Sequence, residues 1–520
     1  MKIIHLLYSI LLATAFFSCV NDLGNYDYRR VEEIMGITIS GFEDTTVIFG
    51  ETLEIKPIIE NMEDESRYEH LWYVTKVFTG GFLPTRDTLS LERDLSSKIE
   101  IDAGDYYLIY IIRDRERDVY ARREVEMTVQ GTQIGAGWYI LKELNNETDF
   151  DYINPNSDLM ITDVLRDHAF RQDFVDDPPT KGGMQLKGKP VKIIYQSSRY
   201  YHQPYKQDGT SAPLLSAQKV LHILSDQDIK TFNASNLYLF KDVDDIFYEK
   251  PETIYPQNIL EDFGNIFLIN DGKLHTIYGM SQNIGKQSYP KIYESNYNYK
   301  LHSNLIYGYL GCLFYDTDSR TFLLAASAGS TLNETKEDPT SPIPSLTNIA
   351  DYDLVRILQR NSGNTGGYKI EGYALFRSTT DTEQYYLAYF YDHWGEGENP
   401  FISLREIPKS AQMPTSNVLA VPQSASCIYY GKGSELHIYR DYESAPIEEL
   451  AYTFPAGEVV SHISNIQSGI LTVLTNSISG WKLYGFKIIE STPDIESEPD
   501  FLYPKEGYGN GRAHSLMKRD

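Results

Sequence analysis

The sequence predicts an all-β protein in two parts: an immunoglobulin-like β-sandwich over residues 37–130 and a β-propeller over residues 135–490. Two observations predict this class. Aromatic and β-branched residues, with tyrosine alone occurring 41 times, dominate the apolar runs, and helical apolar stripes are scarce. A strand–turn–strand unit also recurs along most of the chain. At 520 residues, the protein is too long for one ordinary core.

The sandwich is predicted from short runs in residues 37–130 that alternate apolar and polar positions. Turn residues separate these runs at intervals of about 8–12 residues, which is typical of a β-sandwich. Trp72 lies in the middle of one run, where an immunoglobulin-like core would bury it. The stretch "GDYYLIYIIRD" and the returning run that ends "VEMTV" predict the last hairpin of this domain.

The propeller is predicted from a repeated unit of an apolar strand, a polar turn and an aromatic-rich strand. The units begin roughly 40–60 residues apart, except across one longer gap, and this period is typical of propeller blades. Seven blades are favoured; eight are the alternative, because "GKPVKIIYQSSRYYHQPY" in the longer gap supplies another strand. Two successive β-sandwiches are the competing architecture. The units occupy residues 137–153, 219–234, 264–279, 311–326, 372–390, 426–441 and 469–486.

The two ends of the chain differ from the body. Residues 1–18 have a positive start and an apolar run of about 15 residues, which suits a signal peptide and is too short to cross a bilayer as a helix. Cys19 follows directly and resembles the lipidated cysteine of a bacterial lipobox; an ordinary secretory signal with an incidental cysteine is the alternative. We expect a polar tether at 19–36 and a loosely ordered polar tail at 491–520.

The N-terminal part also resembles a known family. Cys19, the stretch "NDLGNYDY", the predicted last hairpin and "GWYILKE" together resemble the PKD-like lipoproteins of Bacteroidetes, which are encoded beside SusC/SusD-type uptake systems. The resemblance covers about the first 145 residues. The Trp-Asp-Phe-Gly-Asp-Gly turn of true PKD domains is missing, so the resemblance concerns the fold.

The resemblance implies a protein of the outer membrane, anchored by lipid at the cell surface. It implies an accessory component of a SusC/SusD-type complex that binds a carbohydrate or an oligopeptide, or that braces the complex. We expect capture without bond cleavage, and therefore no enzyme. A surface hydrolase of the glycosidase type and a purely structural or adhesive lipoprotein are the alternatives.

Charge and motifs narrow the function classes. The chain has 47 Lys and Arg against 73 Asp and Glu, a formal charge of −26, which disfavours nucleic acid as a partner. The sequence contains no serine elbow, zinc helix or phosphate-binding loop, so we predict no cofactor, metal or catalytic residue. The Asp-rich stretches "YDTDSR" and "KDVDDIF" are interpreted as turns, and Cys312 and Cys427 as small buried side chains.

Aromatic loops are the best candidates for a ligand-binding surface. Flat amphipathic rings stack on sugar faces or on peptide side chains, and their polar tips still form hydrogen bonds. Loops on one face of a propeller converge around its centre, which would bring such rings together. The predicted ligand-binding residues are Arg199, Tyr200, Tyr201, Tyr205, Tyr297, Tyr299, His393 and Trp394.

Overall fold

The computed structural model describes most of the chain after residue 35, and it divides into two compact units, Met1–Gln130 and Gly131–Asp520. The described residues are 36–48, 51–62, 64–76, 86–99, 101, 104–130, 134–157, 159–173, 179–199, 218–247, 250–262, 265–277, 291–292, 299–308, 311–326, 331–335, 337–343, 345–346, 349–360, 370–392, 399–423, 426–441, 446–467, 469–489, 492 and 494–519.

The described residues of unit 1 form β-strands and one 3-10 helix, Glu65–Arg67. Its largest sheet has five strands in the order β2-β9-β8-β5-β6, and two smaller sheets pair β1 with β4 and β3 with β7. The strands are β1 (Thr38–Ser40), β2 (Thr45–Ile48), β3 (Thr52–Ile55), β4 (Ile58–Glu60), β5 (Tyr68–Lys76), β6 (Arg86–Ser90), β7 (Leu95–Lys98), β8 (Gly104–Asp114) and β9 (Val119–Gln130).

The core of unit 1 forms around Trp72, as the sequence predicts. Trp72 has no exposed surface, its ring stacks on Tyr110 with 4.1 Å between centroids, and its Nε1 donates to the carbonyl of Arg93 at 3.0 Å. The predicted last hairpin is also confirmed, because β8 pairs antiparallel with β9 over its whole length. Large aromatic side chains buried from both faces of a pair of strands supply much of the energy of such a core.

The described residues of unit 2 form mainly β-strands, with two short helical segments. Its helices are α1 (Val164–Asp167) and the 3-10 helix Met413–Thr415. Its first strands are β10 (Gly137–Leu144), β11 (Glu147–Asn154), β12 (Leu159–Ile161), β13 (Phe170–Arg171), β14 (Thr180–Lys181), β15 (Leu186–Lys187), β16 (Pro190–Arg199), β17 (Gln218–Ser225), β18 (Ile229–Asn233) and β19 (Leu239–Lys241).

The middle strands are β20 (Pro256–Asp262), β21 (Asn265–Asn270), β22 (Lys273–Ile277), β23 (Lys291–Ile292), β24 (Leu301–Gly308), β25 (Gly311–Asp316), β26 (Thr321–Ala326), β27 (Leu332–Glu334), β28 (Tyr352–Gln359), β29 (Ile370–Ser378), β30 (Tyr385–Asp392) and β31 (Phe401–Ile407). The last strands are β32 (Leu419–Ala420), β33 (Cys427–Lys432), β34 (Glu435–Arg440), β35 (Ile447–Thr453), β36 (Val459–Gln467), β37 (Ile470–Ser477), β38 (Gly480–Lys487), β39 (Phe501–Tyr503) and β40 (Arg512–Arg519).

Consecutive strands of unit 2 pair into antiparallel sheets of similar design. Sheet 1 has the order β12-β11-β10-β40, with β15 paired to β11. Sheets 2 to 7 each contain four strands in chain order: β16–β19, β20–β23, β24–β27, β28–β31, β32–β35 and β36–β39. Every one of the seven predicted strand–turn–strand units is confirmed as the second and third strands of one of these sheets.

The predicted loose tail at 491–520 is wrong. Phe501–Tyr503 forms the outer strand of sheet 7, and Arg512–Arg519 pairs with β10 as the first strand of sheet 1. The physical reason is long-range pairing: β40 satisfies the backbone groups along one edge of β10 and thereby joins the two ends of unit 2 in one sheet. The local composition of the tail does not report this.

Apolar clusters fill the space between consecutive sheets. Each of seven clusters takes buried side chains from two sheets, and the last one joins sheet 7 back to sheet 1. Stacked sheets that cover one another in this way form a propeller-like array. Residue pairs that share a cluster are Leu141 and Ile193, Leu224 and Ile266, Phe267 and Phe314, Phe322 and Phe376, Leu375 and Ile428, Ile438 and Leu471, and Leu483 and Ile140.

Several smaller predictions can be placed in these sheets. Cys312 and Cys427 are both buried, as expected for small apolar side chains, and neither forms a disulfide within the described residues. The stretch "YDTDSR" is the tight turn between β25 and β26, where Asp316 accepts the backbone N–H of Lys300 at 2.8 Å and that of Asp318 at 3.2 Å. The strand predicted within 188–205 exists as β16 and belongs to the same sheet as unit 219–234.

Candidate functional site

Most of the aromatic residues predicted to bind ligand cannot be placed. Arg199 is the last residue of β16, and its side chain is not described. Of the other predicted site residues, those outside the described residues are the lipidation candidate Cys19 and Tyr200, Tyr201, Tyr205, Tyr297, His393 and Trp394. The aromatic surface therefore stays a prediction.

Tyr299 is described, and it lies in the apolar cluster between sheets 3 and 4. Only 5% of it is exposed, and Lys273 Nζ lies 4.4 Å from the centre of its ring. The same Nζ donates to the carbonyl of Tyr299 at 2.6 Å. These contacts make Tyr299 part of the packing between two sheets, so it contributes no ring to an exposed surface.

The centre of unit 2 shows a different and more regular feature. We take as innermost strands β40 of sheet 1 and the first strand of each other sheet, because these edge strands contact the corresponding edge strand of a neighbouring sheet. Neighbouring innermost strands contact one another, for example β40 with β16, β16 with β20, and β36 with β40. Whatever these strands present inward lies near the axis of the array.

Six of the seven innermost strands have an irregular register near their start. A β-bulge bends a strand and re-aims a side chain, and bulges are frequent beside functional sites. In β40 the irregularity lies opposite Leu141 and Lys142 of β10. In the other five strands it lies between Pro190 and Lys192, Pro256 and Asn258, Leu301 and Leu305, Leu354 and Arg356, and Val460 and His462.

A polar residue occurs at or next to each irregularity, and Asn417 takes the corresponding place before the short strand β32. We call these seven residues the polar ring. All are amides or basic side chains, and all except Asn417 and His514 are partly buried. The polar ring consists of Lys192, Asn258, Asn304, Arg356, Asn417, His462 and His514.

Hydrogen bonds run from sheet to sheet around much of the polar ring. Each of four bonds connects a ring residue to the innermost segment of the next sheet, which holds the side chains at one level. The bonds are Lys192 Nζ to Asn258 Oδ1 (2.8 Å), Asn258 Nδ2 to the carbonyl of Ser303 (2.6 Å), the N–H of Ile357 to Asn304 Oδ1 (3.2 Å), and Arg356 Nη1 to the carbonyl of Asn417 (2.9 Å).

The two cations of the polar ring are desolvated without a carboxylate to balance them. Burial alone lowers the pKa of Lys192 to about 8, and burial alone also lowers the pKa of Arg356. Among the described residues, neither side chain forms an ion pair; their polar contacts are the Asn258 amide and the Asn417 carbonyl. Removing an unpaired charge from water is costly, so the arrangement favours an external anion.

Three histidines at or beside the ring add neutral polar groups to it. Burial, with a smaller influence of the neighbouring His514, lowers the pKa of His462 to about 4. Burial also lowers the pKa of His514, against an opposing influence of Glu143. His302, in the bulge of β24, has its pKa lowered by burial and then by Arg356. At neutral pH these imidazoles are therefore uncharged and can donate or accept hydrogen bonds.

An open groove of about 780 Å³ adjoins the polar ring on the side of sheets 7 and 1. Its lining includes Ser461, which precedes His462 in the β36 bulge, and Arg512, two residues before His514. Asn476 and Asn510 add neutral polar groups to the same wall. The groove therefore lies beside the segments that carry His462 and His514.

A second charged cluster lies in the interior of sheet 1 and is fully paired. Lys142 has no exposed surface; its Nζ lies 2.5 Å from Asp151 Oδ1 and 2.8 Å from Asp163 Oδ1, and it also donates to Asn510. Trp481 Nε1 donates to Asp151 Oδ2 at 3.0 Å. All of these partners belong to the protein itself. Their contacts join sheet 1 to sheet 7 and to the segment before β40, so this cluster stabilises the packing of sheet 7 against sheet 1.

The structure gives two further findings about possible sites. Within the described ranges, no group of three or more His, Cys, Asp or Glu side chains is placed to hold a metal ion. None of the helices found in the described part of the chain has the length and apolar character needed to cross a membrane.

The comparison with known families concerns the N-terminal region. Residues 19–190 match the PKD-like family, which covers unit 1 and the first part of unit 2. This match agrees with the resemblance drawn from the sequence and identifies the N-terminal region as PKD-like. No curated protein matches the chain.

Solved structures match the chain only loosely. KlHsv2 with its loop 6CD replaced by a Gly-Ser linker has a TM-score of 0.36 and 6% identity, covering 70% of this chain and 98% of that one. A protein from Lactobacillus plantarum has 0.28 and 7%, covering 87% and 100%. A variant of the Synechocystis apocarotenoid oxygenase has 0.27 and 8%, covering 87% and 92%. At these TM-scores, no argument rests on the matches.

Proposed function

We propose that this protein is a lipid-anchored cell-envelope protein that captures a small nutrient ligand at the centre of unit 2 and releases it unchanged. It would serve as an accessory component of a SusC/SusD-type outer-membrane uptake complex. The observation that carries the proposal is the polar ring, in which seven similar sheets each contribute one amide or basic side chain at the same level. The PKD-like match of residues 19–190 supports the setting of a surface lipoprotein.

We also infer that unit 2 is a seven-bladed β-propeller. Seven sheets of similar order and seven apolar clusters between consecutive sheets support this number. The strand that suggested an eighth blade, β16, is the first strand of sheet 2. The long interval between the first two predicted units also contains α1 and the short strands β13 to β15. In a propeller, the innermost strands surround a central channel, which gives a recessed binding surface.

Capture without cleavage is supported by the composition of the polar ring. Hydrolysis of a glycosidic bond uses two carboxylates on either side of the bond. The ring positions contain amides and basic groups only, which suit hydrogen bonding to hydroxyl and oxyanion groups. A tethered capture protein raises the local concentration of ligand near a transporter without altering the ligand.

Lipid attachment is tested by labelling cells that produce the full chain with a radioactive fatty acid. The wild type should incorporate label into a membrane-bound band, and Cys19→Ser should not. Equal labelling of both proteins, or a native product that is found free in the cytosol, would remove the anchor and the proposed location together.

Ligand capture is tested by isothermal titration of the full chain, purified in detergent, with neutral oligosaccharides and with oligopeptides. At least one class should bind and be recovered with unchanged mass. The double substitution His462→Ala and His514→Ala should weaken binding, while the exposed Lys432→Ala should not. The substitution of His393 and Trp394 by Ala reports separately on the predicted aromatic surface. Recovery of cleaved ligand would favour the hydrolase alternative.

A further inference from the structure

We propose that the polar ring recognises an oxyanion, a carboxylate or a phosphate carried by the ligand, with Lys192 and Arg356 as the charged contacts. This inference rests on the proposed capture function and specifies the chemical class of its ligand. It adds to the general description of a sugar- or peptide-binding protein because a neutral ligand would leave both cations unsatisfied.

The polar ring differs in charge from the rest of the chain. The protein has a formal charge of −26, and 73 of its residues are acidic. None of the seven ring positions is acidic, and two are permanently or largely cationic at neutral pH. A basic centre in an acidic molecule is a local feature, so it is not explained by overall composition.

Among the described residues, neither Lys192 nor Arg356 has a carboxylate counter-ion. Several other partly buried cations among the described residues have a carboxylate partner; Arg360 Nη1, for example, lies 2.7 Å from Glu371 Oε1. Lys192 and Arg356 instead contact only neutral oxygen atoms, at 2.8 Å and 2.9 Å. These contacts fix the direction of the cations and leave their charge available to an incoming anion.

The positions of Lys192 and Arg356 within the polar ring also support anion binding. The bulges put Lys192 and Arg356 at equivalent positions of β16 and β28, with Asn258 and Asn304 on the intervening strands β20 and β24. His302 lies close enough to Arg356 to lower its own pKa through that positive charge, and it accepts the N–H of Asn304 at 3.1 Å. Two cations thus flank two amide side chains on four successive sheets, and several polar groups around one anion are what oxyanion recognition requires.

The groove beside the polar ring also favours an anionic ligand. The groove beside the ring is lined by Arg512, which is exposed, and by neutral groups such as Ser461 and Asn476. A positive side chain at an entrance raises the local concentration of anions and speeds their association. The groove and the ring therefore favour the same charge of ligand.

The test compares three versions of one sugar: galactose, galacturonate and galactose 1-phosphate, with inorganic phosphate as a fourth probe. Each is titrated into the full chain at low and at high salt. We expect one or both anionic sugars to bind more tightly than galactose by about tenfold or more, because hydrogen bonds to charged groups are the strong ones, and we expect salt to weaken this binding. Inorganic phosphate shows whether the phosphate group alone is sufficient.

The variants are a ring pair and a matched surface pair. Lys192→Gln with Arg356→Gln removes two charges while keeping polar side chains, and it should reduce affinity for the anionic sugars by about tenfold or more. Lys56→Gln with Lys432→Gln removes the same charge from exposed positions and should leave affinity unchanged. A cooperative melting transition at a temperature no lower than that of the surface pair establishes that the ring pair folds.

Each outcome decides the proposal. Loss of anion binding in the ring pair alone supports it. Equal anion affinity in both pairs overturns it, as does galactose binding as tightly as its anionic forms; in that second case the capture function stands and only the ligand class is wrong. If no sugar, phosphate or peptide binds the wild type, the capture function fails together with the inference.

Discussion

Lys142 and Lys192 lie in two regions of unit 2 that give a lysine side chain opposite electrostatic surroundings. Lys142 is fully buried in sheet 1, between Asp151 and Asp163. Lys192 is partly buried at the inner edge of sheet 2 and contacts only the Asn258 amide. One lysine has its charge balanced within the protein, and the other has not.

This difference separates a structural charge from a functional one. A buried cation with two carboxylates is satisfied by the fold and needs no external partner. A desolvated cation without a carboxylate costs stability, and such costs are concentrated at functional sites. Predictions about the two lysines therefore have opposite signs.

The largest effect is expected from Lys142→Met. The substitution leaves Asp151 and Asp163 buried without their cation, so it should lower the free energy of unfolding by about 3–5 kcal/mol. Urea denaturation of the full chain, followed by tryptophan fluorescence, measures this change. Lys432→Met, at an exposed position, is the control. An equal effect of both substitutions would mean that the Lys142 cluster does not hold sheet 1 closed.

Lys192→Met should have the opposite sign. Removing a desolvated charge favours folding, and losing the hydrogen bond to Asn258 offsets part of the gain, so unfolding free energy should rise by about 1–2 kcal/mol. The same denaturation experiment checks this. A loss of stability as large as that of Lys142→Met would place Lys192 among the structural charges and contradict the comparison.

A pH titration sharpens the comparison further. The folded-state pKa of Lys192 is about 8, below its ordinary 10.5, so between these values the unfolded chain binds a proton that the folded protein has released. Relative to Lys192→Met, the wild type should gain about 3 kcal/mol of stability as pH rises through this window, because a shift of one pKa unit corresponds to about 1.4 kcal/mol. Anion affinity should fall over the same window as Lys192 loses its charge. A difference in stability that does not vary with pH would contradict the lowered pKa.

The smallest effect is expected in unit 1, where Arg67 and Asp114 form a paired charge like the Lys142 cluster but nearer the surface. Hydrogen bonds from Arg67 lower the pKa of Asp114 to about 2. Its contribution is therefore present above the ordinary pKa of 3.8 and is lost as pH falls towards 2. Asp114→Asn should weaken unit 1 at neutral pH and flatten its acid unfolding curve, measured by circular dichroism. An unchanged acid curve would show that the pair does not stabilise the fold.

Much of the fold could be predicted from the sequence because its signals are local. Each apolar pair of strands around a polar turn is a hairpin of neighbouring residues, so seven hairpins could be recognised before any sheet was known. Trp72 likewise lies in a run whose alternation predicts its burial. The tail could not be predicted, because β40 has few apolar residues and its partner β10 is far away in the chain; Asn510, for instance, meets Lys142 across 368 positions.

The polar ring was not predicted because each of its members is an ordinary polar residue in an apolar strand. A signal does exist: Lys192, Asn258, Arg356 and His462 are each followed by isoleucine, and each lies in the strand before a predicted hairpin. The signal acquires meaning only when the sheets are aligned by structure, since the bulges vary the spacing. The aromatic loops give a more obvious signal in the sequence than the polar ring does. Tyr299, the predicted aromatic site residue that the structure describes, is nevertheless buried.

The pairing of β40 with β10 also has a consequence for how the protein is made. Arg512–Arg519 follows every other strand of unit 2 in order of synthesis, yet it forms the innermost strand of the sheet that the earliest strands begin. Six sheets can assemble as they emerge, while β10 keeps an unpaired edge until the last strand arrives. During that interval the nascent protein exposes a strand edge that other chains could pair with, so a chaperone that shields β10 would aid its biogenesis.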